Sequence, residues 1–484
     1  MKHIKTDVIC VAAGPSGLAA AVAAAENGAD VVVFEKASIV GGAANMGMGP
    51  FGLGTRQQKE QMIDINVERA FKMFMDYTHW RVDANLVRRY FENSADTIAW
   101  LEEKGVEFAG AYKYFPKSEA TWHVVAVNGG IGRNGGAIMN KALLQSAKEN
   151  GVEFYLGTPV TRLIKEDGRV VGVIAKGPDG EEIEARASAV ILATGGAGDN
   201  PEMIRERTGW KFRENMFNFA IPGLKGDGVR MAREAGAACS DMTLEIIYVL
   251  PNCISGPECV TAVFSQPNLM VNAFGDRFLN EEEMQNNTYT GNAISIQKNF
   301  TGYSILDSSI LRRYRRKGLD VTNFVQHPET VDDFDSIVTN YISQNNEDVF
   351  KADTLEALAE WIGTDPKHFV NTVETYNKMC ESKDTLFFKD PRYMLPISRP
   401  PYYIGKFRPG GYGTLGGIKI NAKCEVLDEE WNSIPGLYAA GTDTCAIYGD
   451  SYMFLLPGNT MGYCLNTGRF AGEAAADYAF EAKE

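Results

Sequence analysis

Histidine is scarce in this chain: 484 residues carry five, at His3, His79, His123, His327 and His368. No imidazole is therefore available in the C-terminal part for acid–base work or metal binding. Arginine is thin there too, with only Arg408 and Arg469 beyond residue 400. The eight cysteines show no CxxC or CxxCH spacing, which excludes a zinc ribbon and a covalently attached c-type haem, and no metal site is expected. Free thiols in a reducing compartment are the simplest reading. No apolar run reaches the roughly eighteen residues that a spanning helix needs. The opening residues MKHIKTD lead straight into a strand pattern with no room for a secretory leader, so a cytoplasmic location with no transmembrane segment is expected. Excess positive charge is missing as well. A net charge of −14 argues against nucleic acid or an anionic membrane as partner.

What the chain does have is concentrated at residues 6–36, TDVICVAAGPSGLAAAVAAAENGADVVVFEK, which read as strand, glycine turn, helix, second strand and a terminal acid. That order suits a dinucleotide. Gly14 lets backbone approach a pyrophosphate, Gly17 lets the helix pack closely, and free N–H groups at the helix start hold the phosphate charge. Glu35 can accept hydrogen bonds from a ribose. The usual first glycine is Ala12, so a tight turn there must tolerate a Cβ.

Further along, a glycine-rich loop follows Lys36, and residues 83–104 have helical spacing stopped by Gly105. A second glycine turn at 129–136 precedes a helix predicted over 137–149 and capped by Gly151. Paired strands are expected around Asp167-Gly168, with another hairpin turn at Asp179-Gly180. Residues 188–198 read as a buried strand ending in a glycine turn. From 241 to 411 glycine turns thin out and amphipathic helix and aromatic residues increase. Glycine-rich strand then returns, followed by a helix over 460–480. A cofactor domain interrupted by an insertion explains this economically, with boundaries at 1–241, 242–411 and 412–484.

The ordered motifs Ala12-x-Gly-Pro-Ser-Gly17 with Glu35, Gly41-Gly42, Gly132-Arg-Asn-Gly-Gly136, Ala193-Thr-Gly-Gly196, Gly226-Asp-Gly228, Gly275-Asp-Arg-Phe-Leu-Asn-Glu281 and Gly436-Leu-Tyr-Ala-Ala-Gly441 resemble the flavoprotein family of fumarate reductase, succinate dehydrogenase and 3-ketosteroid dehydrogenases. The likeness covers essentially the whole chain. It implies an α/β fold with an α+β cap: a Rossmann-like, two-part FAD-binding domain interrupted by a cap that closes substrate against the flavin. The cofactor residues it implies are Ala13, Gly14, Pro15, Ser16, Glu35, Lys36, Gly42, Ala43, Gly135, Gly136, Val160, Ala193, Thr194, Gly195, Gly441, Asp443, Gly458, Asn459 and Thr460.

Departures from the family pattern carry the substrate argument. Respiratory members attach FAD through a histidine near the glycine loop, but GGAANMG has none, so FAD is expected to be non-covalent. The arginine that donates a proton in soluble fumarate reductases falls at Gln285, a neutral amide. The substrate histidine falls near Tyr248, the paired histidines become Tyr412-Gly413, and the carboxylate-binding arginine falls at about Tyr452. A dicarboxylate needs fixed cations to offset desolvation. Tyrosines instead suit a neutral, flat, hydrophobic ligand.

The candidate catalytic residues are thus Tyr452, Tyr248, Tyr289, Gln285 and Tyr412. Tyr452 is the expected carbonyl-binding hydroxyl, Tyr248 or Tyr289 the proton donor, and Gln285 a substrate-orienting group. The expected enzyme is an FAD-dependent oxidoreductase acting on CH–CH or activated C–O bonds of an enone, ketosteroid or flavonoid, the conversion of tetrahydrodaidzein to equol being one example. Electrons would come from NAD(P)H or an electron-transfer protein. The alternatives are a fumarate-type dicarboxylate reductase and a flavin electron-transfer subunit of a larger complex.

Overall fold

The computed structural model describes residues 2–323, 325 and 327–482. Its first layer is a six-stranded sheet in the order Glu425–Leu427, Ser433–Ala439, Ala189–Leu192, Val8–Val11, Val31–Phe34, Glu153–Tyr155. All neighbours are parallel except the outermost pair, Glu425–Leu427 with Ser433–Ala439. The strand residues at Val8–Val11, Val31–Phe34 and Ala189–Leu192 are buried along their whole length, as expected of parallel strands covered on both faces. A four-stranded sheet beside it contains the hairpin predicted at Asp167-Gly168, where both turn residues have positive φ.

The helix Pro15–Glu26 buries mostly small residues, alanine and glycine with Ser16, Leu18 and Val22 among them, and it packs on the sheet and on the C-terminal helix Asn459–Glu481. Small residues are required at this crossing. A Cβ on Gly468 would lie 2.4 Å from the carbonyl oxygen of Ser16, and one on Gly472 would lie 2.3 Å from that of Ala20. At the first turn, Ala12 does adopt the left-handed conformation (φ 84°) usually left to glycine. Gly17 is needed for a different reason from the one expected: its Cβ would meet the Ala12 carbonyl oxygen at 2.0 Å, so the constraint lies within the turn and not against the sheet.

A second hydrophobic core is assembled from residues between Tyr248 and Phe407. Its sheet is organised by one sixteen-residue strand, Tyr402–Gly417, which pairs with Thr243–Val249, Gly302–Asp307, Val349–Ala352 and Thr444–Cys445. Phe407 belongs to this second core, whereas Leu415, eight residues on, belongs to the first. One extended segment therefore ties the two cores together.

Substituting Gly468→Ala forces backbone at the helix crossing to move and is expected to destabilise the fold by about 1–3 kcal/mol. The urea midpoint of unfolding checks this, and an unchanged midpoint would show that the crossing has slack.

Candidate active site

A single cavity of about 1260 Å³ runs from the glycine turn to the junction of the two cores. Single drug-sized ligands occupy about 300–1,000 Å³, so a cavity of this size suits a cofactor together with a substrate. At one end it is lined by Gly14, Pro15, Ser16, Glu35, Lys36, Gly42 and Ala43. The helix Pro15–Glu26 has no side-chain cap and no acid in its first turn, which leaves positively polarised N–H groups facing this end. A Cβ built on Gly14 meets nothing within 4 Å, so the space beside it is open to a ligand. Glu35 accepts from the backbone N–H groups of Ala13 and Ala37, both at 2.7 Å, which fixes its carboxylate at the cavity edge. These residues fit the adenosine diphosphate half of FAD.

Other residues singled out from the sequence shape the cavity from behind. Asp443, fully buried, accepts from the N–H groups of Thr194 (2.6 Å) and Gly196 (2.8 Å) and from the Thr194 hydroxyl. That hydroxyl in turn accepts from Gly228 N–H at 2.9 Å. Three separated motifs, around 194, 227 and 443, are thus fastened at one carboxylate. Ala193, Thr194, Gly195, Val160, Gly458 and Thr460 line the cavity, while Gly441 and Asn459 lie outside its lining. Asn459 Oδ1 accepts from the Tyr448 hydroxyl at 2.9 Å. Gly135 and Gly136 also stay outside; a Cβ on Gly136 would lie 2.0 Å from the carbonyl oxygen of Ala44, so this glycine seats the lining loop.

The far end is aromatic: Tyr114, Trp122, Phe219, Tyr248, Tyr412, Tyr452 and Phe454. Tyr452 packs between the rings of Tyr448 and Phe454, and its hydroxyl accepts from Thr460 N–H at 3.1 Å, leaving its own proton free to donate. Burial, reinforced by the field of Glu245, pushes its ionisation far upward, so it stays a phenol. Tyr248 donates to the Met284 carbonyl at 2.6 Å. Tyr289 stacks on Tyr77 outside the cavity lining. Gln285 sits in a small separate cavity that shares Tyr248 as a wall. His123, buried and held by Thr55 and the Thr121 carbonyl, does not reach the cavity, and burial lowers its pKa to about 4.

Charge is distributed unevenly. Lys36, Arg133 and Arg230 line the cavity, and each is paired with a carboxylate: Asp227 (2.6 Å), Glu258 (3.4 Å) and Glu234 (2.9 Å). Arg408 and Arg469 do not line it, and Arg469 is bound to Asp96. Glu245, which sequence reasoning overlooked, does line it. It is 6% exposed, and burial raises its pKa from an ordinary 4.5 to about 8. The available signal was one acid inside the apolar strand TLEIIYV, a position where charge is costly without a purpose.

The family profile described as "FAD binding domain" matches residues 7–460. The chain is 32% identical to a vinyl phenol reductase from Lactiplantibacillus plantarum, across 99% of this chain and 98% of that protein. It is 29% identical to a fumarate reductase (cytochrome) from Shewanella frigidimarina, across 99% and 78%. The solved 3-ketosteroid-Δ4-(5α)-dehydrogenase from Rhodococcus jostii RHA1, in complex with 4-androstene-3,17-dione, superposes with a TM-score of 0.78 at 26% identity, covering 98% of this chain and 97% of that one.

Because the folded protein holds the Glu245 proton more tightly than the unfolded chain does, stability is lost as pH rises from about 4.5 to about 8. Glu245→Gln should remove a slope of up to roughly 1.4 kcal/mol per pH unit from this window, leaving stability below pH 4.5 little changed. Urea unfolding at a series of pH values checks it; parallel profiles for the two proteins would contradict it.

Proposed function

Since the chain belongs to the FAD binding domain family, whose relatives include fumarate reductases and ketosteroid dehydrogenases, and is an FAD-dependent oxidoreductase, we propose that it reduces a conjugated C=C bond in a neutral, flat, hydrophobic substrate. The observation that carries this reading is the aromatic end of the cavity, where no unpaired cation stands among the described residues. Two carboxylates placed there would lose their hydration and gain no partner, and Glu245 would repel them if ionised. A phenol, styrene or enone loses little, and its rings gain from the tyrosine walls. The relative named vinyl phenol reductase points to the same ligand class.

In this reading FAD supplies the hydride once reduced by NAD(P)H or an electron-transfer protein. Glu35, Lys36 and the Gly14–Ser16 turn hold its adenosine diphosphate, and the 193–195 and 458–460 turns hold the remainder. Attachment is non-covalent, consistent with a cavity wall that contains no histidine among the described residues. The 242–411 segment serves as the cap. For an enone, Tyr452 donates a hydrogen bond to the carbonyl oxygen that withdraws electrons from the double bond and so stabilises the charge developing on it. Aromatic packing around Tyr452 fixes that hydroxyl and excludes water.

Anaerobic holoenzyme, reduced beforehand, should be reoxidised by 4-vinylphenol or 4-androstene-3,17-dione far faster than by fumarate. Preference for fumarate would favour the dicarboxylate reading, and indifference to all three would favour an electron carrier. Tyr452→Phe should slow the reaction about 100-fold while the flavin stays bound. Acid precipitation should leave all the flavin in the supernatant; colour in the pellet would contradict non-covalent binding.

A further inference from the structure

The strand Thr243–Val249 and the strand Tyr402–Gly417 run in register on either side of one irregularity: Leu244 faces Thr414 and Ile246 faces Gly411. Glu245 alone therefore stands opposite two residues, Tyr412 and Gly413. The extra residue lies in the Tyr402–Gly417 strand, and opposite it the Glu245 side chain lines the cavity, as do Ile247 and Val249 at the alternate positions of its own strand. No hydrogen bond or ion pair reaches the Glu245 carboxyl among the described residues, and it is all but fully buried. The carboxyl oxygens are not sealed in the core but open on the cavity, so an acid with no protein partner is presented to whatever occupies that space.

We propose that Glu245 is the group that protonates the substrate carbon next to the one receiving hydride. The assignment rests on the reading of the cavity as a C=C reductase site. In the step, the substrate π bond breaks and two C–H bonds form. One takes the electron pair of the hydride supplied by reduced FAD; the other takes the proton of the Glu245 O–H bond, whose electrons stay on the carboxylate. FAD ends oxidised, and water reprotonates Glu245.

The surroundings keep the acid protonated until it is needed. The titratable groups within electrostatic reach of it are Tyr114, Tyr412, Tyr452 and Cys445, which share the cavity wall with it, and Tyr77 behind that wall; none is charged at neutral pH. Desolvation alone raises its pKa to about 8, close to the value a general acid needs at physiological pH. The tyrosines are poorer donors. Tyr452 is buried beside this same carboxyl, which would repel a phenolate, and the Tyr248 proton is committed to the Met284 carbonyl.

Stopped-flow reoxidation of reduced holoenzyme by 4-vinylphenol, across pH, tests the assignment. The wild-type rate constant should be level in acid and fall above pH of about 8. Glu245→Gln should lower it by about 100-fold or more, abolish that alkaline limb and retain flavin, while Glu245→Asp should restore part of the rate together with the limb. Infrared difference spectra should show a protonated carboxyl band that titrates in the wild type and is absent from Glu245→Gln. A Glu245→Gln enzyme with wild-type rate and limb, or one altered only in KM, overturns the assignment alone. A wild-type enzyme that 4-vinylphenol and 4-androstene-3,17-dione both fail to reoxidise overturns the neutral-substrate reading and this assignment with it.

Discussion

The backbone ladder of Tyr402–Gly417 is the constraint on which the rest depends. Its N-terminal half belongs to the second core and its C-terminal half to the first, so the relative position of the two cores is set by one continuous strand and not by a flexible linker. The cavity opens where that strand passes between them. The irregular register at Glu245 lies at the same place, so the feature that joins the cores also delivers an acid to their junction. Close helix contact on the other side, through Gly468 and Gly472 against Ser16 and Ala20, holds the cofactor end in place.

Electrostatics carry the proposed choice of ligand. The cavity's three lining cations are each paired, with Asp227, Glu258 and Glu234, and its far end is walled mainly by aromatic rings, with Glu245 a carboxyl that has no ion pair among the described residues. In such surroundings an ion pays for desolvation and finds nothing to compensate it. In the proposed reading, the surroundings that would disfavour a dicarboxylate are the same ones that raise the Glu245 pKa, so preference for a neutral ligand and an acid at neutral pH would share one physical origin.

Much of the cofactor end was legible from residues alone. The strand, turn, helix and acid of 6–36 form a local unit whose hydrogen bonds and glycine requirements are short in sequence, and the structure places Gly14, Ser16 and Glu35 around the cavity as that unit demands. The helices predicted over 137–149 and 460–480 form over Gly135–Glu149 and Asn459–Glu481. The tyrosines were harder to rank because a phenol in a core and a phenol in a site look alike in sequence. Only contacts separate Tyr452, with its free proton in the cavity, from Tyr289, stacked outside its lining.

By itself the sequence determined the strand, turn, helix and strand of 6–36 and the scarcity of histidine and arginine beyond residue 400. These follow from local periodicity, short-range turn chemistry and composition. Tertiary structure alone decided that Asp443 clasps distant motifs, that Gln285 faces a separate small cavity, and that Glu245, with no hydrogen bond or ion pair among the described residues, shares a cavity wall with Tyr452 and Tyr412. These outcomes depend on which segments meet across a long separation in the chain, which neighbouring residues do not record; for Glu245 the one local trace is an acid inside an apolar strand.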